Sequence, residues 1–251
     1  MRISGRMRRV DAFSGFFLVL CPILALPARP ALADALADVR SGLDRVAASD
    51  TVRARVTVSR LETEKDEPKG PTRRGEAVVE HGPSGLSIHL EPAFLPKPGT
   101  RAERKRHDET TVRLDPGDAL ELVDPATGIR QLLDGATLVS DRGEPFEGKV
   151  LRTVVFRALP DVDEKDRKAL KRYDDVVTLR LDAEGVPVCL ERSLDLKFSK
   201  LLISFTVSQR ESRRFARVAG RLVTTSASEE SAGSGLGQKG GSTTRWTVTP
   251  L

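Results

Sequence analysis

The chain has 251 residues, a formal net charge of +5 and a pI near 9.4, with 39% hydrophobic and 31% charged residues and two Cys. That balance excludes a collagen-like, disulfide-dense or long low-complexity protein and fits one domain of ordinary to large size or two small ones. A pI above 9 raises nucleic acid as a partner, so the location of the positive charge decides whether that class survives.

The first segment carries Arg2, Arg6, Arg8 and Arg9, then an apolar run over 16–26, then the A-x-A sequence Ala31-Leu32-Ala33. This is the order of a removable secretory signal peptide, 1–33. The run is far shorter than the roughly 20 residues of a membrane-spanning helix. Cys21 does not make a lipobox, because Leu20 stands where a small residue is needed and Pro22 follows. Removal of 1–33 takes away five Arg and one Asp and leaves 36 basic against 35 acidic residues. The mature chain, 34–251, is then close to neutral, which removes the case for nucleic acid. Its single thiol, Cys189, has no partner for an internal disulfide. The expected product is a single β-rich domain in the periplasm, with no integral membrane segment after signal cleavage.

Along that chain, Leu36, Val39, Leu43 and Val46 recur at spacings of three and four, which predicts an amphipathic helix over 35–48. Val52, Ala54, Val56 and Val58 then alternate with polar residues, the pattern of a half-buried strand. A polar loop over 62–73 leads to strands at 75–81 and 86–90 around the turn Gly82-Pro83-Ser84-Gly85, an antiparallel hairpin. Residues 92–118, with four Pro and the cluster Arg104-Lys105-Arg106, read as a loop holding a helical turn or two. Asp124-Pro125 starts a helix that Gly135 closes. Strands follow at about 136–141, 149–158, 175–182, 186–197, 201–211, 214–219, 221–228 and 242–249. A charged connection over 161–173 interrupts them, and a flexible Ser/Gly-rich loop is expected at 231–242. Strands joined by short turns must be antiparallel. The expected fold is therefore α+β and mostly β: a large curved antiparallel sheet of about ten strands, a half-barrel, with two or three helices on its concave face.

Gly235-Leu236-Gly237-Gln238-Lys239-Gly240 matches G-x-G-x-x-G, but the 11 residues after it read as strand, so it is a hairpin and not a dinucleotide site. His81, His89 and His107 lack H-x-x-x-H spacing. Asp161, Asp163 and Asp166 lack the Gly and Glu of a calcium loop and sit among five bases. No G-x-S-x-G elbow is present. These negatives point away from an enzyme and imply no metal and no cofactor. The apolar faces of the strands remain, and Leu86, Ile88, Leu90, Val154, Phe156, Ile203 and Phe205 are the candidates to line a cavity for an apolar ligand.

The order of signal peptide, amphipathic helix, VRARVTVSR strand and long antiparallel meander resembles the LolA and LolB superfamily of periplasmic lipoprotein carriers. The local match is LDAEGVPVCLERSLDLKFSKLLISFTV, 181–207, similar to that family's strand, D-x-x-G-x-P turn and long hairpin, with Asp182, Gly185 and Pro187 in place. The resemblance implies a half-barrel closed by helices around a hydrophobic cavity for acyl chains, without catalysis. The expected function is a periplasmic, non-enzymatic binding or carrier protein for a lipid or lipidated protein. The alternative is an envelope interaction or scaffold module with a filled core and no ligand.

Overall fold

The alternation from Val52 to Val58 produces the strand it predicts. The computed structural model describes residues 31–47, 50–64, 67–95, 99–160, 169–200, 203–235 and 238–251. In it Val52, Ala54, Val56 and Val58 are buried while Arg53, Arg55 and Thr57 are exposed, on a strand that continues to Val52–Glu64 (β1). Part of the expected 62–73 loop is therefore sheet, since β1 pairs with the short strand Glu67–Pro68 (β2). Arg73–Gly82 (β3) and Gly85–Leu90 (β4) form the expected hairpin.

The helix before β1 spans Ala31–Asp44 (α1). Ala35, Val39 and Leu43 are its buried stripe, Val46 is buried in the turn just past its end, short of the expected helix limit at 48, and Leu36, expected within the stripe, packs at the flank. Fourteen residues are marginal for an isolated helix, so α1 depends on docking its apolar face. Residues 92–118 hold more helix than expected: a 3-10 turn at Pro92–Phe94 and the helices Arg101–Thr110 (α2) and Pro116–Val123 (α3). A capping box starts α2, in which the Thr100 hydroxyl accepts from the Glu103 N–H and the Glu103 carboxylate accepts from the Thr100 N–H at 2.7 Å. The Arg104-Lys105-Arg106 cluster lies on this helix, not on a loop. Asp115 caps α3 by accepting from the Gly117 N–H at 2.8 Å, with Pro116 in the first turn. Pro125–Leu133 (α4) follows, and Gly135 leaves it at φ +70°. Asp124 does not cap the backbone of α4; its carboxylate accepts from the Thr127 hydroxyl at 3.0 Å.

Seven strands complete the chain: Thr137–Phe146 (β5), Lys149–Arg157 (β6), Leu170–Leu181 (β7), Pro187–Lys200 (β8), Ile203–Val218 (β9), Arg221–Gly235 (β10) and Gln238–Pro250 (β11). The strands expected at 201–211 and 214–219 are one, β9. Of the charged connection at 161–173, residues 161–168 lie outside the described residues and 170–173 already belong to β7. The flexible loop expected at 231–242 is corrected to hairpin strand on both sides of 236–237, with Ser231 opposite Ser242 and Gly233 opposite Gly240. The reason is position: β10 and β11 lie between β9 and β1, so their backbone groups find ladder partners on both sides.

The sheet has eleven strands in the order β4-β3-β1-β11-β10-β9-β8-β7-β6-β5, with β2 beside β1, and every named strand pair is antiparallel. It is an open half-barrel with β4 and β5 as its edges. The buried core forms two clusters. One joins α1 and α4 to β6, β7 and β8, with Phe215 and Leu222. The other joins α3 to β1, β3 and β11, with Val223 and Ala227. Adjacent residues Leu222 and Val223 belong to different clusters, so β10 is where the two meet.

The turn singled out in the sequence, Asp182 to Val186, is the socket for α1. Asp182 holds it by accepting from the N–H groups of Glu184 (3.0 Å) and Val186 (2.9 Å), and Gly185 takes φ +79°. Gly42 of α1 lies directly on it: a Cβ there would come within 2.0 Å of the Gly185 carbonyl oxygen. Arg40 donates to the Leu133 carbonyl at 2.7 Å, satisfying a free group at the end of α4 and tying the two helices together. Gly42→Ala is expected to lower stability by about 1–3 kcal/mol through overpacking, despite the better helix propensity of Ala. Urea unfolding measures it, and an unchanged midpoint would mean that α1 does not seat there.

Candidate functional site

The helix-facing side of β7, β8 and β9 carries apolar residues near α1 and charged ones farther along. Val177, Leu179 and Leu181 of β7 give way at the same parity to Asp175 and Tyr173. On β8, Leu190 is followed by Arg192; on β9, Phe215 is preceded by Arg213 and Glu211. Register places Arg192 opposite Glu211, and Leu190 opposite Arg213. The result is a belt of charge across the sheet where the apolar core ends.

Asp175 anchors the belt, with a side chain that is 0% exposed. Arg192 grips it with two hydrogen bonds, Nε to Oδ1 at 2.9 Å and Nη2 to Oδ2 at 2.7 Å, and the Tyr173 hydroxyl donates to Oδ2 at 2.9 Å. A buried carboxylate is tolerable when paired and hydrogen-bonded in this way. Its hydrogen bond raises the Arg192 guanidinium further above its usual value, while burial, then the bond to Asp175, pushes the Tyr173 phenol up to about 12. Arg213 bridges Glu211 on its own strand and Glu121 of α3. Burial alone would lower its pKa, but those two carboxylates outweigh it and raise it.

Over this belt α4 and the segment 158–160 leave a cleft of about 490 Å³. Ile129, Leu132, Leu159, Leu190 and Phe215 make its apolar walls, and Tyr173, Asp175, Arg192, Glu211 and Arg213 its charged floor. A narrower trough of about 160 Å³ shares Glu121, Arg192, Glu211 and Arg213, and runs on between Asp118, Glu229 and Trp246. Acids outnumber bases there. Burial, then the charges of Glu211 and Asp118, raises the pKa of Glu229. Burial, then Asp115 and Glu121, raises that of Asp118. The Trp246 Nε1 is buried without a hydrogen-bond partner. The space can take an amphiphile, with its apolar part on the walls and polar groups against the floor.

The seven side chains expected to line one cavity are not brought together, which corrects that expectation. Val154 and Phe156 are fully buried in the packed cluster under α1 and α4. Leu86, Ile88 and Leu90 are half-buried on the edge strand β4, against the α3 cluster. Phe205 is 41% exposed at the far end of β9, and the side chain of Ile203 lies outside the described part. Packing supplies the reason: the strand positions nearest the helices are filled by helix side chains, so the cleft opens where charges prevent closure.

The other singled-out groups are also placed. The Arg221 guanidinium lies 2.9 Å from Nδ1 of His81, whose pKa is lowered by burial and then by Arg221. His89 contacts Ser87 at 3.2 Å. Among the described residues no group of three or more His, Cys, Asp or Glu could hold a metal ion, and no helix is long and apolar enough to cross a membrane. Gly235 belongs to β10 and Gln238, Lys239 and Gly240 to β11, and Asp161, Asp163 and Asp166 lie outside the described residues. Cys189 is buried, and burial raises its thiol pKa. The residues of the floor escaped the sequence reading, although part of the signal existed: Arg192 interrupts the apolar series Leu190, Leu194 and Leu196, and Asp175 ends the series Leu181, Leu179 and Val177, whereas Glu211 and Arg213 follow Gln209 in a polar stretch.

No protein-family model and no curated protein matches the chain. Among solved structures, OmpTdeltaL8, a loop L8 deletion mutant of the outer membrane protein OmpT of Vibrio cholerae, aligns over 80% of this chain and 99% of that chain at 9% identity, with a TM-score of 0.16. A similarity of that size carries no argument about fold or function.

Two outcomes are expected from the belt. Asp175→Ala leaves Arg192 without its partner and costs about 3–5 kcal/mol, whereas the pair Asp175→Leu with Arg192→Met restores most of the loss; denaturant midpoints separate the two. Glu229 binds its proton more tightly folded than unfolded, so its contribution to stability falls as pH rises from its ordinary value of 4.5 through the raised one. Glu229→Gln is therefore expected to stabilise at pH 7 and to lose that advantage in acid below the ordinary value, read from melting temperatures at the two pH values.

Proposed function

We propose that this chain is a periplasmic, non-enzymatic binding or carrier protein for a lipid or a lipidated protein, with the ligand held in the cleft between α4 and the charged belt. The observation that carries the reading is the two-sided lining: Ile129, Leu132, Leu159, Leu190 and Phe215 for an apolar chain, and the Asp175–Arg192 and Glu211–Arg213 pairs for a polar head. The volume, about 490 Å³, lies in the range of small-molecule sites. The export-type leader at 1–33 and the resemblance of 181–207 to the LolA and LolB superfamily support the periplasmic assignment and the class of cargo. The head of the ligand would meet an excess of acids around Asp118, Glu121, Glu211 and Glu229, so neutral or cationic heads are favoured over anionic ones.

A second reading, an envelope scaffold without ligand, is favoured by the fully buried Val154 and Phe156 and by the packing of both core clusters. Mass spectrometry of lipid co-purified with the protein, followed by titration with a fluorescent fatty-acid or lipid-amine probe, separates the two. The carrier reading expects bound lipid and saturable uptake. It also expects Leu159→Asp, at an exposed wall position, to weaken probe binding about tenfold or more, the worth of one apolar side chain. An empty protein that takes up neither probe establishes the scaffold instead.

A further inference from the structure

The sheet is open, and its two edge strands are finished differently. Strand β5 is blunted: Pro145 has no N–H to offer, the register shifts between Leu138 and Ser140, and Asp141, Arg142 and Glu144 put charge along it. Each of these discourages another strand from pairing. Strand β4, from Gly85 through Leu86, Ser87, Ile88 and His89 to Leu90, has no Pro, no Lys, Arg, Asp or Glu, and an unbroken register against β3. Where β3 runs on past β4, the chain covers the edge itself. Thr111 bridges Arg74 of β3, the Val112 N–H donates to the Arg74 carbonyl at 3.0 Å, and the Val112 carbonyl takes the place that a Cβ on Gly75 would need.

Pairing with β3 fixes which backbone groups of β4 are left over. Gly85 opposes Gly82 across the tight turn Pro83-Ser84, so that pair is hydrogen-bonded, and alternation makes Ser87 and His89 the next residues whose N–H and C=O face β3. The N–H and C=O groups of Leu86, Ile88 and Leu90 therefore point to the open edge. Their side chains are half-buried against the α3 cluster on the concave face. Ser87 and His89 are exposed on the outer face, with the Ser87 hydroxyl 3.2 Å from Nε2 of His89.

We infer that β4 pairs with β4 of a second copy of this chain, antiparallel about a two-fold axis at Ile88. Outward backbone groups must meet outward groups, the helix-covered faces must lie on the same side, and like charges must not oppose one another. One register meets all these conditions. Ile88 then opposes Ile88, Leu86 opposes Leu90 and Ser87 opposes His89 across the axis, and the next charge along the chain, Glu91, falls opposite Gly85. Every outward N–H and C=O of Leu86, Ile88 and Leu90 gains a ladder partner, and an apolar row runs unbroken across the joint. The strand reads the same in both directions, apolar at 86, 88 and 90 and polar at 87 and 89. That symmetry selects a copy over a foreign strand, because a two-fold contact requires a patch complementary to itself and a foreign partner does not. The contact lies at the sheet edge and does not rest on what the cleft holds.

Cysteine pairing reads the register. In full chains carrying Cys21→Ser, a mixture of Ser87→Cys and His89→Cys protein is expected to form a disulfide-linked dimer under mild oxidation, since the two positions meet as a non-hydrogen-bonded pair about 4.5 Å apart at Cα. Either protein alone is expected to stay unlinked, because positions two places out of register are about 7–8 Å apart. Cys189 is buried and takes no part. Sedimentation velocity reads association itself, and the parent chain is expected to dimerise as its concentration rises. Ser87→Lys with His89→Lys sets like charges opposite each other in both outer rows and is expected to weaken the dimer about tenfold or more. Ser87→Lys with His89→Glu sets unlike charges there and is expected to keep it. Both positions are exposed, so the fold tolerates these changes. Association through the N-terminal apolar segment is common to every variant and cancels in the comparison. Probe uptake by the cleft is expected to be the same in all of them, so failure of the carrier reading and failure of this one are distinguishable. A parent that stays monomeric, equal association of the parent and both charged variants, or cross-linking no greater in the mixture than in either protein alone overturns the proposal.

Discussion

The pairing of β1 with β11 is the constraint on which the rest of the molecule depends. It aligns the beginning of the described domain with its end, from Ala54 opposite Pro250 to Glu64 opposite Gly240. Without it, the β3–β4 hairpin and the meander from β5 to β11 would be two sheets with four edges. With it they become one sheet with two edges, and the helices have a continuous surface to cover. The ladder is long-range, so its loop-closure entropy is recovered only when local hairpins are already in place. Those hairpins are set by tight turns, among them Gly82–Gly85 and the Asp182–Gly185 socket that also receives Gly42 of α1.

Covering one side of so broad a sheet with short helices leaves a boundary where burial ends. At that boundary the chain places Asp175, Arg192, Glu211 and Arg213, and the choice has an energetic consequence. Desolvated pairs of this kind are no more stable than apolar residues of equal volume. They do hold the cleft open, because charged side chains satisfied by one another do not collapse against Ile129 and Leu132 as a Leu would. The same charges fix which strand neighbours face which: Arg192 meets both Asp175 across β7 and Glu211 across β9, so a slip of register would leave a buried carboxylate unpaired. The belt thereby connects strand register and the lining of the cleft through a few side chains.

Much of the fold was legible because it follows from local periodicity. The alternation at Val52–Val58 and the Gly/Pro turns announced antiparallel strands, and the Leu36–Val46 spacing announced a docked helix. Helix α2 was legible in principle, since Thr100 and Glu103 spell a capping box, but its face has no apolar stripe to draw attention. The cavity candidates failed for a reason local pattern does not contain. Phe156 and Phe205 both sit on inward strand positions, yet one is sealed by helices and the other projects beyond them.

From the sequence alone came most of the strands and the helices before β1 and after Asp124, which way the strand side chains alternate, and that connections are too short for anything but antiparallel neighbours. These are properties of a few residues at a time, governed by backbone geometry. Only tertiary structure decided that β1 closes on β11, that Ser231–Gly235 is ordered strand in mid-sheet, and that five charges from three strands and a helix converge on one cleft. Those facts depend on distances between residues up to nearly two hundred positions apart, as from Ala54 to Pro250. Such a distance is set by the summed burial of both core clusters and by no pattern within either segment.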